Sequence, residues 1–194
     1  MSLQDDWRAK YRIELETPRL LLRPFIADDT AWLTDLLCDA AVCEFLWDGP
    51  SERKQAQRHA QAIVDLDLWH CRFGHWAIVD RSTNEIHGWT ELGKLRPWDG
   101  PSDEIALSYG LRRQSWGQGI ATEAAGRLLR YAFEFHQLDC VMAVIMAGNV
   151  ASRRVLEKLD MRFVADRVLA DGKTLQYFRI DITPTATSPL DPLR

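Results

Sequence analysis

The chain has 194 residues, 46% apolar and 27% charged, enough to bury a core without disulfides or a structural metal. A formal net charge of −4 with no basic block excludes a general nucleic-acid binder, whose affinity rests on neutralising phosphates. No stretch reaches the roughly 20 apolar residues of a membrane span, and Cys38, Cys43, Cys71 and Cys140 lack zinc or C-x-x-C spacing, reading as buried hydrophobes of a reducing compartment.

The opening "MSLQDDWRAKYR" carries two acids and no apolar core, which reads against a signal peptide and leaves 1–16 as an N-terminal extension. "RLLLRPF" (19–25) is predicted as a strand stopped by Pro24. In "ADDTAWLTDLLCDA" the acids precede Trp32, Leu33, Leu36 and Leu37 at helical spacing. "FLWDGP" (45–50) is a loop, after which Ser51, Lys54 and Gln55 open a polar helix reaching about Leu68.

From residue 75 the period becomes two. Strands are predicted at 75–80, 85–94 and 103–111, then a helix from about Gln118 to His136 with Ala121, Ala124, Ala125, Leu128, Ala132 and Phe135 on one face. "CVMAVIMA" (140–147) is apolar on both faces, as a central strand covered by helices should be. "ASRRVLEKLD" is a short helix with Val155, Leu156 and Leu159 inward, and "RFVADRVLA" with "TLQYFRIDI" forms a hairpin through "DGK". The tail 183–194 reads as disordered. The order predicts one α+β domain over 17–182, its sheet mostly antiparallel and flanked by helices, with one β-α-β crossover.

That crossover holds "RRQSWGQGIATEA", with Gly117 and Gly119 at the mouth of a helix. A P-loop is excluded because no G-x-x-x-x-G-K-[ST] string exists. A dinucleotide fingerprint fails as well: Thr122 stands in its third slot, and Asp139 precedes the next strand instead of ending it. There remains a Q-x-x-G-x-G turn that wraps backbone N–H groups around a pyrophosphate at a helix N-terminus. The plainer alternative is a tight turn into a helix, and the pattern alone leaves both open.

Gln114-x-x-Gly117-x-Gly119 resembles the acetyl-CoA motif of the GNAT superfamily of N-acetyltransferases. "SWGQGIATEA", followed by "NVASRRVLEKLDMRF" (149–163) and preceded by "TPRLLLRPFIADD", is similar to the RimJ/RimL-like branch, which acetylates protein N-termini among other amines. The resemblance spans 17 to 181.

It implies acetyl-CoA as cosubstrate, without a metal. Gln114 would contact the coenzyme, and the backbone of Trp116, Gly117, Gln118, Gly119, Ile120, Ala121 and Thr122 would hold the pyrophosphate. The preceding strand would splay from the next and offer backbone groups near Tyr109 and Leu111 to the pantetheine arm. Gly110 would mark a bulge there, unless it is a packing glycine. Asn149 would cap the following helix and touch the coenzyme. Ser152 would sit near the sulfur, contributing by hydrogen bonding to developing charge more than as an acid.

The base that frees the amine would be Glu91 or one of Asp103 and Glu104; Glu104, which shares a face with Ala106 and Ser108, is the choice of the pair. Neither motif contains a cysteine, so attack would be direct, through a tetrahedral intermediate. Trp47, Trp69, Trp76, Trp89 and Trp98 all fall in the half that shapes acceptor sites in this family; Trp76 and Trp89 are expected in the core, and Trp47 and Trp98, in Gly/Pro loops, would wall the acceptor site. The branch usually has glycine at Asp160 and commonly at Ser108. The expected acceptor is a primary amine, on a protein N-terminus or a small molecule, in a cytoplasmic enzyme for which a homodimer is allowed. The alternatives are a non-catalytic acyl-CoA-binding regulatory module and a dinucleotide-binding module.

Overall fold

The computed structural model describes residues 13–46, 49–66, 73–95 and 103–182. An eight-stranded sheet forms the frame. Its strands are β1 (Leu15–Glu16), β2 (Leu20–Pro24), β3 (Gly74–Asp80), β4 (Ile86–Lys94), β5 (Ile105–Leu111), β6 (Cys140–Met146), β7 (Arg162–Val168) and β8 (Thr174–Asp181). They lie in the order β1-β2-β3-β4-β5-β6-β8-β7. Every neighbouring pair is antiparallel except β5 and β6, which are parallel because the helix between them makes the crossover.

Helices α1 (Thr30–Cys38) and α3 (Arg53–Leu66) cover one face of β2–β4, with the one-turn helix α2 (Ala40–Cys43) between them. In α3 the small or branched residues Ala56, Ala60 and Val64 recur every fourth position and turn inward. With Phe25, Leu33, Leu36, Ala77 and Val79, Ala60 and Val64 make one core cluster, against which Trp89 packs. Helix α4 (Ile120–Glu134) covers the opposite face, laying Ala124, Ala125, Leu128 and Ala132 on Leu20, Leu22, Trp76, Ile78, Leu92 and Leu107. Small residues along that stripe let α4 lie close to the sheet. Helix α5 (Val150–Lys158) follows β6 and buries Leu156 in the same cluster. A third cluster, Leu95, Ala106, Met142, Leu175 and Tyr177, joins β5 to β6 and β8.

The pairing of β5 with its two neighbours is unequal. Against β4 it runs unbroken from Gly88–Leu111 to Lys94–Ile105. Against β6, among the described residues, the register holds at Ala106–Met142 alone. The two parallel strands therefore part toward their C-terminal ends, and the peptide groups of β5 beyond Ala106 face an opening.

The sequence reading needs adjusting at several points. Helix α4 starts at Ile120 instead of Gln118, because Gly117 and Gly119 have φ of +74° and +77°, a left-handed backbone that no helix continues through. Gly110 marks no bulge, since the β4–β5 register does not shift there. A Cβ on it would come within 2.6 Å of the Trp89 Nε1, so it is a packing glycine beneath an indole. Irregular pairing occurs instead at Ile78/Val79 and at Phe163/Ala165. Asp160 adopts φ +58° at the end of α5, as the substitution for glycine requires. The strand β1 and the helix α2 were not expected; a two-residue strand and a single turn carry no periodicity to read. Trp76 is buried, with its Nε1 donating to the Ile13 carbonyl at 2.8 Å. Trp47, Trp69, Trp98 and Leu68, and the predicted tail, lie outside the described residues. Among those described, no helix is long and apolar enough to cross a membrane.

Two distant sequence segments meet over the start of α4. Glu123, in its first turn, accepts from Thr17 Oγ1 at 2.6 Å, from the Arg19 N–H at 3.2 Å and from Arg19 Nε at 2.7 Å. Arg19 then reaches the Gln118 carbonyl with both terminal nitrogens, at 3.3 and 3.2 Å. Burial works to raise the Glu123 carboxyl, but the hydrogen bonds from Thr17 and Arg19 and the guanidinium charge outweigh it and hold the group below the usual carboxylate range. Its stabilisation is therefore present above the unfolded-state pKa and is lost as pH falls through the lower folded-state value. Glu123→Gln is expected to cost about 1–3 kcal/mol at neutral pH and to remove that part of the acid-induced loss, as thermal denaturation at a series of pH values would show. Equal melting temperatures for both proteins at neutral pH would refute the assignment.

Candidate active site

The opening between β5 and β6 continues into a cleft of about 470 Å³. Its lining comes from four places: α2 and the residues after it (Ala41, Val42, Glu44, Phe45, Leu46), the end of β5 (Tyr109, Gly110, Leu111), the turn into α4, and α5. Two helix N-termini converge on it, at Gly119 and at Asn149.

The turn begins with a 3₁₀ stretch, Arg113–Ser115, after which Trp116 is extended and Gly117 and Gly119 are left-handed. In this path the first N–H groups of α4 have no carbonyl behind them, and Glu123 N donates to the Gly119 carbonyl at 3.0 Å as the first bond of the ladder. A cradle of N–H groups without overhanging side chains fits a pyrophosphate, and the dipole of α4 adds favourable charge. Arg154 and Lys158, one turn apart on α5, bring two cations to the same cleft. The donor set thus fits an anionic, elongated ligand such as a coenzyme A thioester.

Of the residues expected to meet the coenzyme, Tyr109, Leu111, Trp116, Gly117, Gly119, Ile120, Ala121, Thr122 and Asn149 line the cleft, as does Ser152. Gln114 and Gln118 do not; the Gln118 amide turns back to donate to the Gln114 carbonyl at 2.7 Å. The Leu111 carbonyl accepts from Trp116 Nε1 at 2.8 Å, so the indole braces the end of β5.

Asn149 Oδ1 accepts from the Ser152 N–H at 3.0 Å and caps α5. The Ser152 hydroxyl lies 2.8 Å from the Tyr109 hydroxyl, which also donates to the Ser152 carbonyl at 3.1 Å. Burial pushes the Tyr109 phenol well above its ordinary pKa, with the Ser152 hydrogen bond only partly opposing it, so the group stays a neutral donor. Sequence reasoning expected only backbone contacts from Tyr109 and missed this phenol. The signal was present: Tyr109 shares a strand face with Leu107 and Leu111, which turn toward α4 and α5. It missed the α2 wall as well, for which one helical turn gives no pattern.

The candidate bases lie apart from this group. Glu104 precedes β5, is exposed, stands 4.0 Å from Arg179 and does not line the cleft. Asp103 is exposed and pairs with Lys94 at 2.8 Å. Glu91, half-buried on β4 opposite Ser108, lies 3.4 Å from His75 Nε2 on the sheet face that also carries Trp89.

Comparison with known proteins identifies the fold and the family. The profile of the family described as "Acetyltransferase (GNAT) domain" matches residues 19–162. The uncharacterized N-acetyltransferase p20 of Bacillus licheniformis is 27% identical over 169 residues, covering 87% of this chain and 92% of its own. An acetyltransferase of the GNAT family from Bacillus anthracis superposes with a TM-score of 0.74 at 18% identity, over 87% of this chain and 98% of its own. The ribosomal L7/L12 alpha-N-protein acetyltransferase RimL, solved in complex with coenzyme A, superposes with a TM-score of 0.70 at 17% identity, over 88% and 98%. At these identities the superpositions speak for the fold. The family profile, covering most of the chain, speaks for the chemistry: this protein belongs to the GNAT family and is an acetyl-CoA-dependent acetyltransferase.

Proposed function

We propose that the chain acetylates a primary amine by direct attack on acetyl-CoA seated in the cleft, with pyrophosphate at the glycine turn and the thioester beside Ser152. The observation that carries this reading is the hydrogen-bonded set Asn149–Ser152–Tyr109 at the place where β5 and β6 part. Acetyl transfer places negative charge on the departing sulfur. When the Tyr109 phenol gives its one proton to Ser152 Oγ instead of the Ser152 carbonyl, the serine proton is free to be donated to that charge. The run from "TPRLLLRPFIADD" through "SWGQGIATEA" to "NVASRRVLEKLDMRF" supports the RimJ/RimL-like branch, with a protein N-terminus or a small amine as acceptor. A screen of N-terminal peptides and small amines for coenzyme A release tests the proposal. Hydrolysis alone, with no accepting amine, would favour a non-catalytic acyl-CoA-binding role instead.

Glu91, like Glu104, does not line the cleft, but it is half-buried beside an imidazole on the strand next to β5, on the face opposite the Tyr109 phenol, and is the candidate to accept the amine's proton from that side. Glu104, the choice made from strand alternation, sits in solvent next to Arg179. Glu91→Gln is expected to lower kcat about 10²-fold or more near neutral pH and Glu104→Gln to leave it within about twofold, measured with whichever amine the screen finds. The reverse pattern would return the role to Glu104.

A further inference from the structure

A polar cluster that acetyl transfer does not use joins the end of β5 to the β3–β4 pair. His87 on β4 is 8% exposed, and its Nδ1 lies 2.9 Å from Ser115 Oγ. Ser115, 1% exposed, belongs to the turn that lines the cleft. Arg112 Nε donates to the same Oγ at 3.1 Å, and Arg112 Nη2 comes within 3.5 Å of Nδ1. On the far side of the ring, Asp80 Oδ2 stands 3.6 Å from Nε2. Glu85 pairs with Arg112 at 2.7 Å. Main-chain bonds tie the pieces together: Arg112 N–H to the His87 carbonyl at 2.9 Å, and Ser115 N–H to the Arg112 carbonyl at 3.0 Å.

With Asp80 beside Nε2 and the Arg112 guanidinium beside Nδ1, the neutral ring is taken as the Nε2–H tautomer, and counting protons then gives this cluster two states. A hydroxyl has one proton and two lone pairs, and a guanidinium only donates. With a neutral imidazole protonated at Nε2, toward Asp80, Nδ1 is an acceptor and the Ser115 proton points at it. With an imidazolium, Nδ1–H and Arg112 Nε–H both donate into Ser115 Oγ and fill its lone pairs. The hydroxyl proton must then turn elsewhere, and the cleft is where an acceptor would arrive. An anion there favours the second state twice, through the hydroxyl and through the imidazolium charge.

We propose that His87 is a positioning residue for the coenzyme, coupling proton uptake at its imidazole to release of the Ser115 hydroxyl toward the pyrophosphate. The proposal rests on the placement of the pyrophosphate at the glycine turn. The charged groups facing His87 are Asp80 from β3, Glu85 from the β3–β4 turn and Arg112 from the exit of β5. Hydrogen bonds from Ser82 and Thr83 hold the Asp80 carboxyl well below the usual range, and Arg112 lowers that of Glu85. Both acids therefore stay charged at neutral pH. Because a bound anion favours the imidazolium over the neutral ring, binding is tighter at low pH and weakens as pH rises.

Calorimetric titration of coenzyme A into the wild type, His87→Gln, Ser115→Ala and Gly119→Val, at about pH 6 and about pH 8 in buffers of different ionisation enthalpy, tests this. The wild type should bind about tenfold tighter at the lower pH, the response to a one-unit change in imidazole proton affinity. It should also take up more protons than His87→Gln or Ser115→Ala, whose residual response is that of the coenzyme's own phosphate. Equal proton uptake by wild type and His87→Gln overturns the proposal. If His87→Gln does not fold, Ser115→Ala decides alone, since it leaves the imidazole in place: a full pH response without the hydroxyl overturns the coupling. Gly119→Val separates the two levels. If it binds like the wild type, the placement at the turn is wrong; if it loses binding while the wild-type response matches that of the variants, His87 alone is misassigned.

Discussion

Gly119→Val is expected to weaken coenzyme A binding by at least about a hundredfold, or some 2.7 kcal/mol, in a protein that still folds. Gly119 is the N-cap of α4, at φ +77°. A β-branched residue is a true outlier there and strains the turn by about 1–3 kcal/mol. Room for the first carbon exists, because a Cβ would stand 3.6 Å from the Arg19 guanidinium, ordinary contact distance. The harm comes from the turn relaxing to a negative φ and from methyl groups beside the N–H cradle. The cores beneath α1, α3 and α4 do not involve this residue, so the domain should melt only modestly earlier. Gly117→Ala is the contrast: at φ +74° with nothing within 4 Å of the added carbon, it carries conformational strain without a steric block. Calorimetry and thermal denaturation on both variants check this, and unchanged affinity in a folded Gly119→Val would remove the pyrophosphate from the turn.

Ser152→Ala is expected to lower kcat and kcat/KM together by roughly ten- to a hundredfold, because its hydroxyl acts on charge that appears only as the thiolate departs. Removing a hydroxyl beside the Tyr109 phenol leaves that group its bond to the Ser152 carbonyl, so the fold should barely notice. Tyr109→Phe should reproduce a smaller fraction of the kcat loss with KM little changed, since the phenol acts by orienting Ser152. The double variant should then be no worse than Ser152→Ala, the mark of two residues working as one unit. Asn149→Ala should behave differently: it loses the cap of α5, costing about 1 kcal/mol of stability, and should loosen coenzyme binding. A Ser152→Ala enzyme with wild-type kcat would strike the hydroxyl from the mechanism.

The sequence was most legible where a residue's own chemistry decides its setting. The periodicities of β3 to β6 and of α4 came through because each element has one covered face or two; Phe135, expected on the inward face of α4, lies past its end and is exposed. The paired glycines announced a backbone that other residues avoid, and both are left-handed. Asn149 announced a cap and makes one. What could not be read depends on juxtaposition across the sheet. Gly110 looks like a defect until Trp89 is seen to lie against it from the neighbouring strand. Glu104 and Glu91 are both acids on strands, and only the register and the position of Arg179 distinguish them. Nor does any local pattern say that Thr17 and Arg19 will close over Glu123, more than a hundred residues away.

The parting of β5 from β6 bears on how the molecule holds together mechanically. Strands β1 to β5 form one ladder and β6, β8 and β7 another, and among the described residues Ala106 and Met142 alone pair across the seam. Side-chain packing carries the rest of the joint: α4 and Leu156 on one face, and Ala106, Met142 and Tyr177 on the other. Apolar contacts can slide by fractions of an ångström where a hydrogen-bonded ladder would break, so the two panels can adjust their angle without unfolding either one. A pantetheine arm lying in the gap would act as a shim, satisfying strand groups from both panels and setting the width at which Tyr109 and Ser152, one on each side, stay in register.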